Sequence, residues 1–240
     1  MPYRRLPNTD AARIRAMKTA IKKGQELPPG KLAFSAKLFV ELRRLLPLFE
    51  NNIKHYRYSV NIQNSKSKNY SESIRKARMY LTHFIRVMNM AIIRGDLHVE
   101  TRTFYGMNIN DSTVPQLISE NELVSWGKKV IEGEELRIRQ GGSPITNPTI
   151  AVVKVWYENF LQALHYNNTQ ARIIFDIMEK NNSLRKEVDK LILDLWNEVE
   201  RTNNAESNED ARKEMNEEYG LIYFYRKHEI VKTEYSGLAS

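Results

Sequence analysis

Apolar residues recur every three or four positions along most of the chain, which is the spacing of helices that bury one face. Thr9 is a candidate N-cap for a first helix that ends near Gly24. Ser119 and Glu122 form a capping-box pattern that opens a further helix running to about Gln140. The pattern therefore predicts an all-α protein.

Two longer segments carry the clearest apolar seams, and each predicts a helical hairpin. The first covers about residues 35–95, with the polar stretch Ser65–Ser73 as its tip. Pro47 lies inside its first arm, where proline is expected to kink or split a helix. The second hairpin is predicted to begin at Asn147, an N-cap residue followed by proline, with Ser183 capping its second arm.

The two hairpins align with each other, without a gap, when the sequence is shifted by 111 residues. Phe49 then coincides with Phe160, although Leu48 coincides with the polar Asn159. We interpret the match as an internal duplication; the alternative is two unrelated amphipathic hairpins of similar length. Asn167, which interrupts the second seam, is interpreted as a residue that fixes register or pairs with a neighbour.

A duplication of this kind predicts the architecture and the domain organisation. Two duplicated three-helix units would form an antiparallel four-helix bundle of long helices, with two shorter accessory helices. The repeats are predicted to cover residues 1–110 and 111–218, with an aromatic segment and a loose tail at 219–240, in one compact bundle overall. The sequence allows at most one short strand pair, between residues 97–105 and 219–226.

Charge is divided unevenly between the two predicted repeats. The net charge is +8, but residues 1–110 hold 21 basic and 7 acidic side chains, against 16 and 22 in residues 111–240. The basic half is therefore expected to pack beside the acidic half. The alternative is that the basic half binds an external polyanion such as a nucleic acid.

The candidate polyanion-binding residues form two clusters. One surrounds the predicted hairpin tip, where a tyrosine is available to stack on a base; the other lies near the N-terminus. Together they comprise Lys66, Lys68, Tyr70, Arg75, Lys76, Arg78, Arg4, Arg5 and Arg13.

Motifs for catalysis and metal binding are missing from the sequence. The chain has no cysteine, which excludes disulfides, cysteine metal sites and thiol catalysis. The di-iron Glu-x-x-His pattern, the P-loop and the dinucleotide-binding glycine fingerprint do not occur. We therefore predict no catalytic residue, cofactor or metal site, and no enzymatic activity. Without an apolar run of about 18 residues, we expect a cytoplasmic protein with no membrane partner.

The sequence contains four short motifs: Pro2–Pro7, Arg102–Gly106, Pro144–Pro148, and Glu218–Gly220 with Arg226. Together they resemble an uncharacterised bacterial family of helical proteins. The resemblance implies a bacterial protein and transfers no catalytic residue.

The expected function follows from the clean apolar seams and the missing catalytic motifs. We expect a structural or protein-interaction module that binds itself or another protein; the alternative is nucleic-acid binding.

Overall fold

A computed structural model describes residues 3–224, and helix accounts for 74% of it. The all-α prediction is confirmed, and no helix of the described residues is long and apolar enough to cross a membrane. The predicted loose tail, with Arg226, lies outside the described residues. In chain order the elements are β1 (Tyr3–Arg4), α1 (Asp10–Glu26), a 3₁₀ turn (Pro29–Lys31), α2 (Ala36–Ile93), α3 (Thr101–Phe104), α4 (Glu120–Arg139), α5 (Ile150–Asn203), α6 (Glu209–Glu217) and β2 (Tyr223–Phe224).

The starts of α1 and α4 follow the predicted capping signals. The Thr9 side chain accepts a hydrogen bond from the backbone N–H of Ala12 at 3.2 Å. Ser119 and Glu122 make both hydrogen bonds of a capping box. Each cap satisfies backbone N–H groups that have no partner inside the helix.

The predicted hairpins are wrong, because α2 and α5 are single helices of 58 and 54 residues. The stretch Ser65–Ser73 lies inside α2, and Ser183 lies inside α5. The hydroxyls of Ser65, Ser67 and Ser73 donate to backbone carbonyls three or four residues earlier, so these serines remain compatible with the helix. With neither glycine nor proline after Pro47, nothing in α2 ends the helix. Among the described residues, two long helices therefore take the place of the four in the predicted bundle.

Two local predictions near the helix ends are also corrected. Pro47 does not split α2. Asn147 has a left-handed backbone (φ 60°) before a cis bond to Pro148, and α5 begins only at Ile150. An N-cap residue needs extended backbone angles, so Asn147 does not cap α5.

The only strand pair among the described residues joins β1 and β2. Tyr3 pairs with Phe224 and Arg4 with Tyr223 in antiparallel register. The sequence predicted a strand pair between residues 97–105 and 219–226. The first of these partners is wrong, because α3 forms a helical turn inside 97–105.

The chain divides into two compact units, and both long helices run through both of them. Unit 1 comprises residues up to Tyr58 and from Phe175 onward, and unit 2 comprises Ser59–Ile174. These boundaries differ from the predicted 1–110 and 111–218 because each long helix contributes one segment to each unit.

The core of unit 1 joins three helical segments. They belong to α1, to the first part of α2 and to the last part of α5, and the last two are antiparallel, since Ser35 contacts Glu198 whereas Asn52 contacts Asn181. Burial of their apolar side chains supplies the main stabilisation, at about 25 cal/mol per Å². Fully buried residues include Met17, Leu42, Phe49, Ile192 and Trp196.

Unit 2 has a corresponding apolar core and a buried polar network beside it. The core joins α4, the last part of α2 and the first part of α5, with Phe84 and Phe160 completely buried. Beside it, the fully buried Glu134 accepts from the Tyr105 hydroxyl (2.6 Å) and from Arg137 (2.8 and 2.9 Å). Burial raises the pKa of Glu134, but these hydrogen bonds and one from the Ile145 N–H outweigh it, so the pKa is lowered.

The bounds of the helices keep the 111-residue offset seen in the sequence. Shifted by 111 residues, α1 falls on residues 121–137, inside α4, and α2 falls on 147–204, which matches α5 except at its ends. Phe49 and Phe160 are both fully buried, as are Leu81 and Ile192 to within 1%. The duplication itself stays a prediction, now with one long helix in each repeat in place of a hairpin.

Helix continuity through the polar stretch predicts the effect of proline at Ser67. Ser67→Pro should lower the free energy of unfolding by about 3 kcal/mol or more, because proline removes a hydrogen bond and clashes inside a helix. Ser67→Ala is the matched control and should change it by less than about 0.5 kcal/mol. Urea denaturation measures both, and equal stability of the two variants would place a turn at this position.

The buried network predicts a pH-dependent effect of Glu134→Gln. The variant leaves Arg137 buried without its counter-charge, so at pH 7 unfolding should become easier by about 3–5 kcal/mol. Because the folded-state pKa is lowered, the contribution of the carboxylate is present above its unfolded pKa of about 4.3 and lost at lower pH. The difference from wild type should shrink when urea denaturation is repeated at lower pH. Glu132→Gln, an exposed change on the same helix, is the control; equal effects would contradict the assignment.

Candidate functional site

A groove lies within unit 2, between the facing sides of α2 and α5. It has a volume of about 380 Å³. We call it the amide groove, because half of its lining residues carry a primary carboxamide. Its lining residues are Gln63, Lys66, Asn69, Tyr70 and Ser73 of α2, and Trp156, Asn159, Gln162, Ala163, Tyr166, Asn167 and Gln170 of α5.

The six carboxamides of the groove make no side-chain hydrogen bond to any other residue that the structure describes. A primary amide offers two N–H donors and a carbonyl acceptor. The amides are half-buried or exposed, so water reaches them in the free protein. The groove therefore presents six donor–acceptor groups that a bound molecule can use. The groups belong to Gln63, Asn69, Asn159, Gln162, Asn167 and Gln170.

The aromatic walls of the groove are held in place by neighbours outside it. The Trp156 ring stacks on Tyr80, with centroids 5.9 Å apart and planes 4° apart. The Lys76 ammonium lies 4.3 Å from the Trp156 ring centroid and pairs with Glu72 at 2.9 Å. These contacts fix the indole ring in the free protein.

Tyr70 is anchored through its hydroxyl, which donates to the Glu120 carboxylate at the start of α4. Partial burial and this carboxylate both raise the pKa of Tyr70. The phenol consequently stays neutral far into the alkaline range and keeps its ring orientation.

The groove is almost uncharged. Lys66 is the sole basic residue among the described residues that line it, and no carboxylate or histidine lines it. Its titratable groups are thus one lysine and two tyrosines. Paired acid and base groups, which proton-transfer catalysis needs, are not part of this lining.

Two residues of the amide groove differ in kind from the residues of unit 1 with which they align. At the 111-residue offset, Tyr70 and Ala163 correspond to Asn181 and Asn52. Asn52 and Asn181 are buried and hydrogen-bonded to each other at 2.8 Å, and Asn52 also donates to the backbone carbonyl of Ile177 at 3.4 Å. At this pair of positions, unit 1 therefore buries two amides that bond to each other, whereas the aligned residues of unit 2 line the amide groove.

The N-terminal cluster of candidate polyanion-binding residues is used by the fold of unit 1. Arg4 pairs with Glu200 at 2.8 Å, and Arg13 pairs with Asp189 at 2.7 Å. Arg5 lies over the Phe224 ring at 5.2 Å. Arg4 and Arg13 join the basic first half of the sequence to the acidic second half, as the intramolecular interpretation of the charge asymmetry expects.

The second cluster lies along α2 and not at a hairpin tip. Lys66 and Tyr70 line the amide groove, and Lys76 is held on Trp156. Arg78 donates to the backbone carbonyl of Ile118 at 2.9 Å. The remaining two residues, Lys68 and Arg75, are exposed and form no ion pair within the part of the chain that the structure describes.

The amides of α5 were not predicted as functional, although the sequence carried a signal for one of them. Asn159 coincides with Leu48 in the repeat alignment, but both residues are exposed, so this mismatch does not mark a seam position. Asn167 was interpreted as fixing register, but it is half-buried, lines the groove and makes no hydrogen bond to another described residue. Asn167, the polar interruption of the second seam, is therefore the sequence signal for the groove.

Comparison of the chain with protein-family models, curated proteins and solved structures finds no match. Within the described residues, no group of three or more histidine, aspartate and glutamate side chains is placed to hold a metal ion.

The Tyr70–Glu120 contact predicts a missing tyrosinate step in alkaline titration. At pH 11 the absorbance of wild type at 295 nm should exceed that of Tyr70→Phe by much less than one tyrosinate, because the Tyr70 pKa is raised above the usual value of about 10. In a Glu120→Gln background the same comparison should show a larger difference, since the repelling charge is gone. If wild type exceeds Tyr70→Phe by one full tyrosinate near pH 10, the contact is contradicted.

Proposed function

We propose that this chain is a non-enzymatic helical module that binds another protein, and that the amide groove of unit 2 is its binding site. The observation that carries the proposal is the set of six carboxamides without partners among the described residues. Interaction sites commonly combine rigid aromatic side chains with adaptable polar groups. In the amide groove, Trp156 and Tyr70 are the rigid aromatic side chains, and the carboxamides are the adaptable polar groups.

Energetics support a binding role for these side chains. The amides contribute little to folding, because they make no hydrogen bond with another described residue. A hydrogen bond contributes about 0.5–1.5 kcal/mol net when it forms, so several of them in one groove can supply useful affinity and specificity. Fixing Trp156 and Tyr70 before binding lowers the entropy that association costs.

Photo-cross-linking from inside the groove tests this proposal. A photoreactive p-benzoylphenylalanine replaces Gln162 in one protein and Asn168 in another; Asn168 is an exposed amide on the same helix that does not line the groove. In a lysate of the source cells, the Gln162 position should give a discrete protein adduct that excess wild-type protein suppresses. The Asn168 position should give none.

An excess of the double variant Gln162→Ala/Asn167→Ala should fail to suppress the adduct. Circular dichroism should show that this variant folds like wild type. Equal adducts from the two positions, or none from Gln162, would contradict a protein-binding groove.

Nucleic-acid or other polyanion binding is the second candidate function. The observation that favours it is the exposure of Lys68 and Arg75 without ion pairs among the described residues. Both lie on α2, and Arg75 also lines a surface depression of about 440 Å³ together with Arg78 and Arg86. These cations could contact phosphates.

The polyanion candidate is tested by fluorescence anisotropy with labelled single- and double-stranded oligonucleotides of mixed sequence. Binding should appear at low salt, weaken steeply as salt rises, and be lost in Lys68→Glu with Arg75→Glu. Arg4→Glu is the control, because Arg4 already pairs with Glu200. No anisotropy change at low salt would exclude this function.

Three further predictions belong to the same proposal. The matching helix bounds and buried residues support an internal duplication, in which both copies contribute polar side chains to the groove. A bacterial origin and a cytoplasmic location remain proposals from the sequence.

A further inference from the structure

The spacing of the amides in the groove indicates an elongated ligand. On α5 they run from Asn159 to Gln170, a separation of 11 residues, or about 16 Å at 1.5 Å per residue. An extended polypeptide advances about 3.3 Å per residue, so about five of its residues match this length.

The hydrogen-bonding capacity of the amides favours an extended peptide over a helix. An extended chain leaves its backbone N–H and C=O groups without partners, and a carboxamide can donate to one and accept from the other. A bound helix already uses these groups internally and would leave most of the six amides without partners.

Charge decides between a peptide and a nucleic acid. Each nucleotide brings a phosphate, so a strand lying along the groove would bring several negative charges. Lys66 is the sole cation that lines the groove among the described residues, and Lys76 is occupied by Glu72 and Trp156. One lysine matches one carboxylate better than it matches a row of phosphates.

We propose that the amide groove binds an extended peptide segment of about five residues that contains one acidic side chain. The backbone of the peptide pairs with the carboxamides, its carboxylate pairs with Lys66, and its apolar side chains pack on Trp156 and Tyr166. This inference rests on the proposed protein-binding function and specifies the form of the partner.

The test uses the full chain and a phage-displayed library of random heptapeptides. Wild type should enrich peptides with aspartate or glutamate at a common position, and the selected peptides are resynthesised for Kd measurement by fluorescence polarisation. Gln162→Ala with Asn167→Ala should weaken binding by about tenfold or more, which corresponds to the loss of one or two hydrogen bonds. Asn168→Ala should leave Kd unchanged.

Two further comparisons test the contacts of the peptide. N-methylation of its central backbone amides, which leaves the protein unaltered, should abolish binding. Lys66→Gln should weaken the acidic peptide by about tenfold and have no effect on the same peptide with its carboxylate changed to an amide.

Failure of this inference is distinguishable from failure of the proposed function. If no peptide is enriched, or N-methylation has no effect, while the Gln162 adduct forms, the groove binds a folded protein surface and the extended-peptide inference is wrong. If deca-uridine RNA binds and depends on Gln162 and Asn167, the ligand is a nucleic acid and both proposals fall.

Discussion

The uninterrupted course of α2 and α5 is the constraint on which the rest of the structure depends. A helix satisfies its own backbone hydrogen bonds, so it can continue through a polar stretch that has no apolar partner. Around Ser65–Ser73 the helix does so, with serine hydroxyls bonded back to its own carbonyls. Unit 2 therefore contains paired helical segments whose facing side chains are polar, and the amide groove is their consequence.

One pair of aligned positions differs between the two units. In unit 1, Asn52 and Asn181 are buried and bond to each other. In unit 2 the aligned positions hold Ala163 and Tyr70, which both line the groove. The Tyr70 hydroxyl donates to the Glu120 carboxylate. Buried polar groups must pair with each other, whereas groups at an open groove can remain available to a ligand.

Several elements could be predicted from the sequence because their determinants are local. The caps at Thr9 and Ser119 and the helical periodicity lie within a few residues of what they specify. The hairpin tip was predicted wrongly because serine and asparagine occur both in turns and in helices. Since the stretch has no glycine or proline to end the helix, the helix continues through it. The groove was only partly predictable, through Lys66 and Tyr70, because its amides come from two helices brought together by tertiary packing.

The distance between Asn61 and Met79 tests the central claim most directly. Both are exposed residues of α2 within unit 2, on opposite sides of the polar stretch, and the absence of cysteine allows spin labels at Asn61→Cys and Met79→Cys alone. A continuous helix places their backbones about 27 Å apart, at 1.5 Å for each of 18 residues. Double electron–electron resonance should give a narrow distribution near this distance. A distance below about 15 Å would show a hairpin at Ser65–Ser73 and would contradict the helix, and with it the groove.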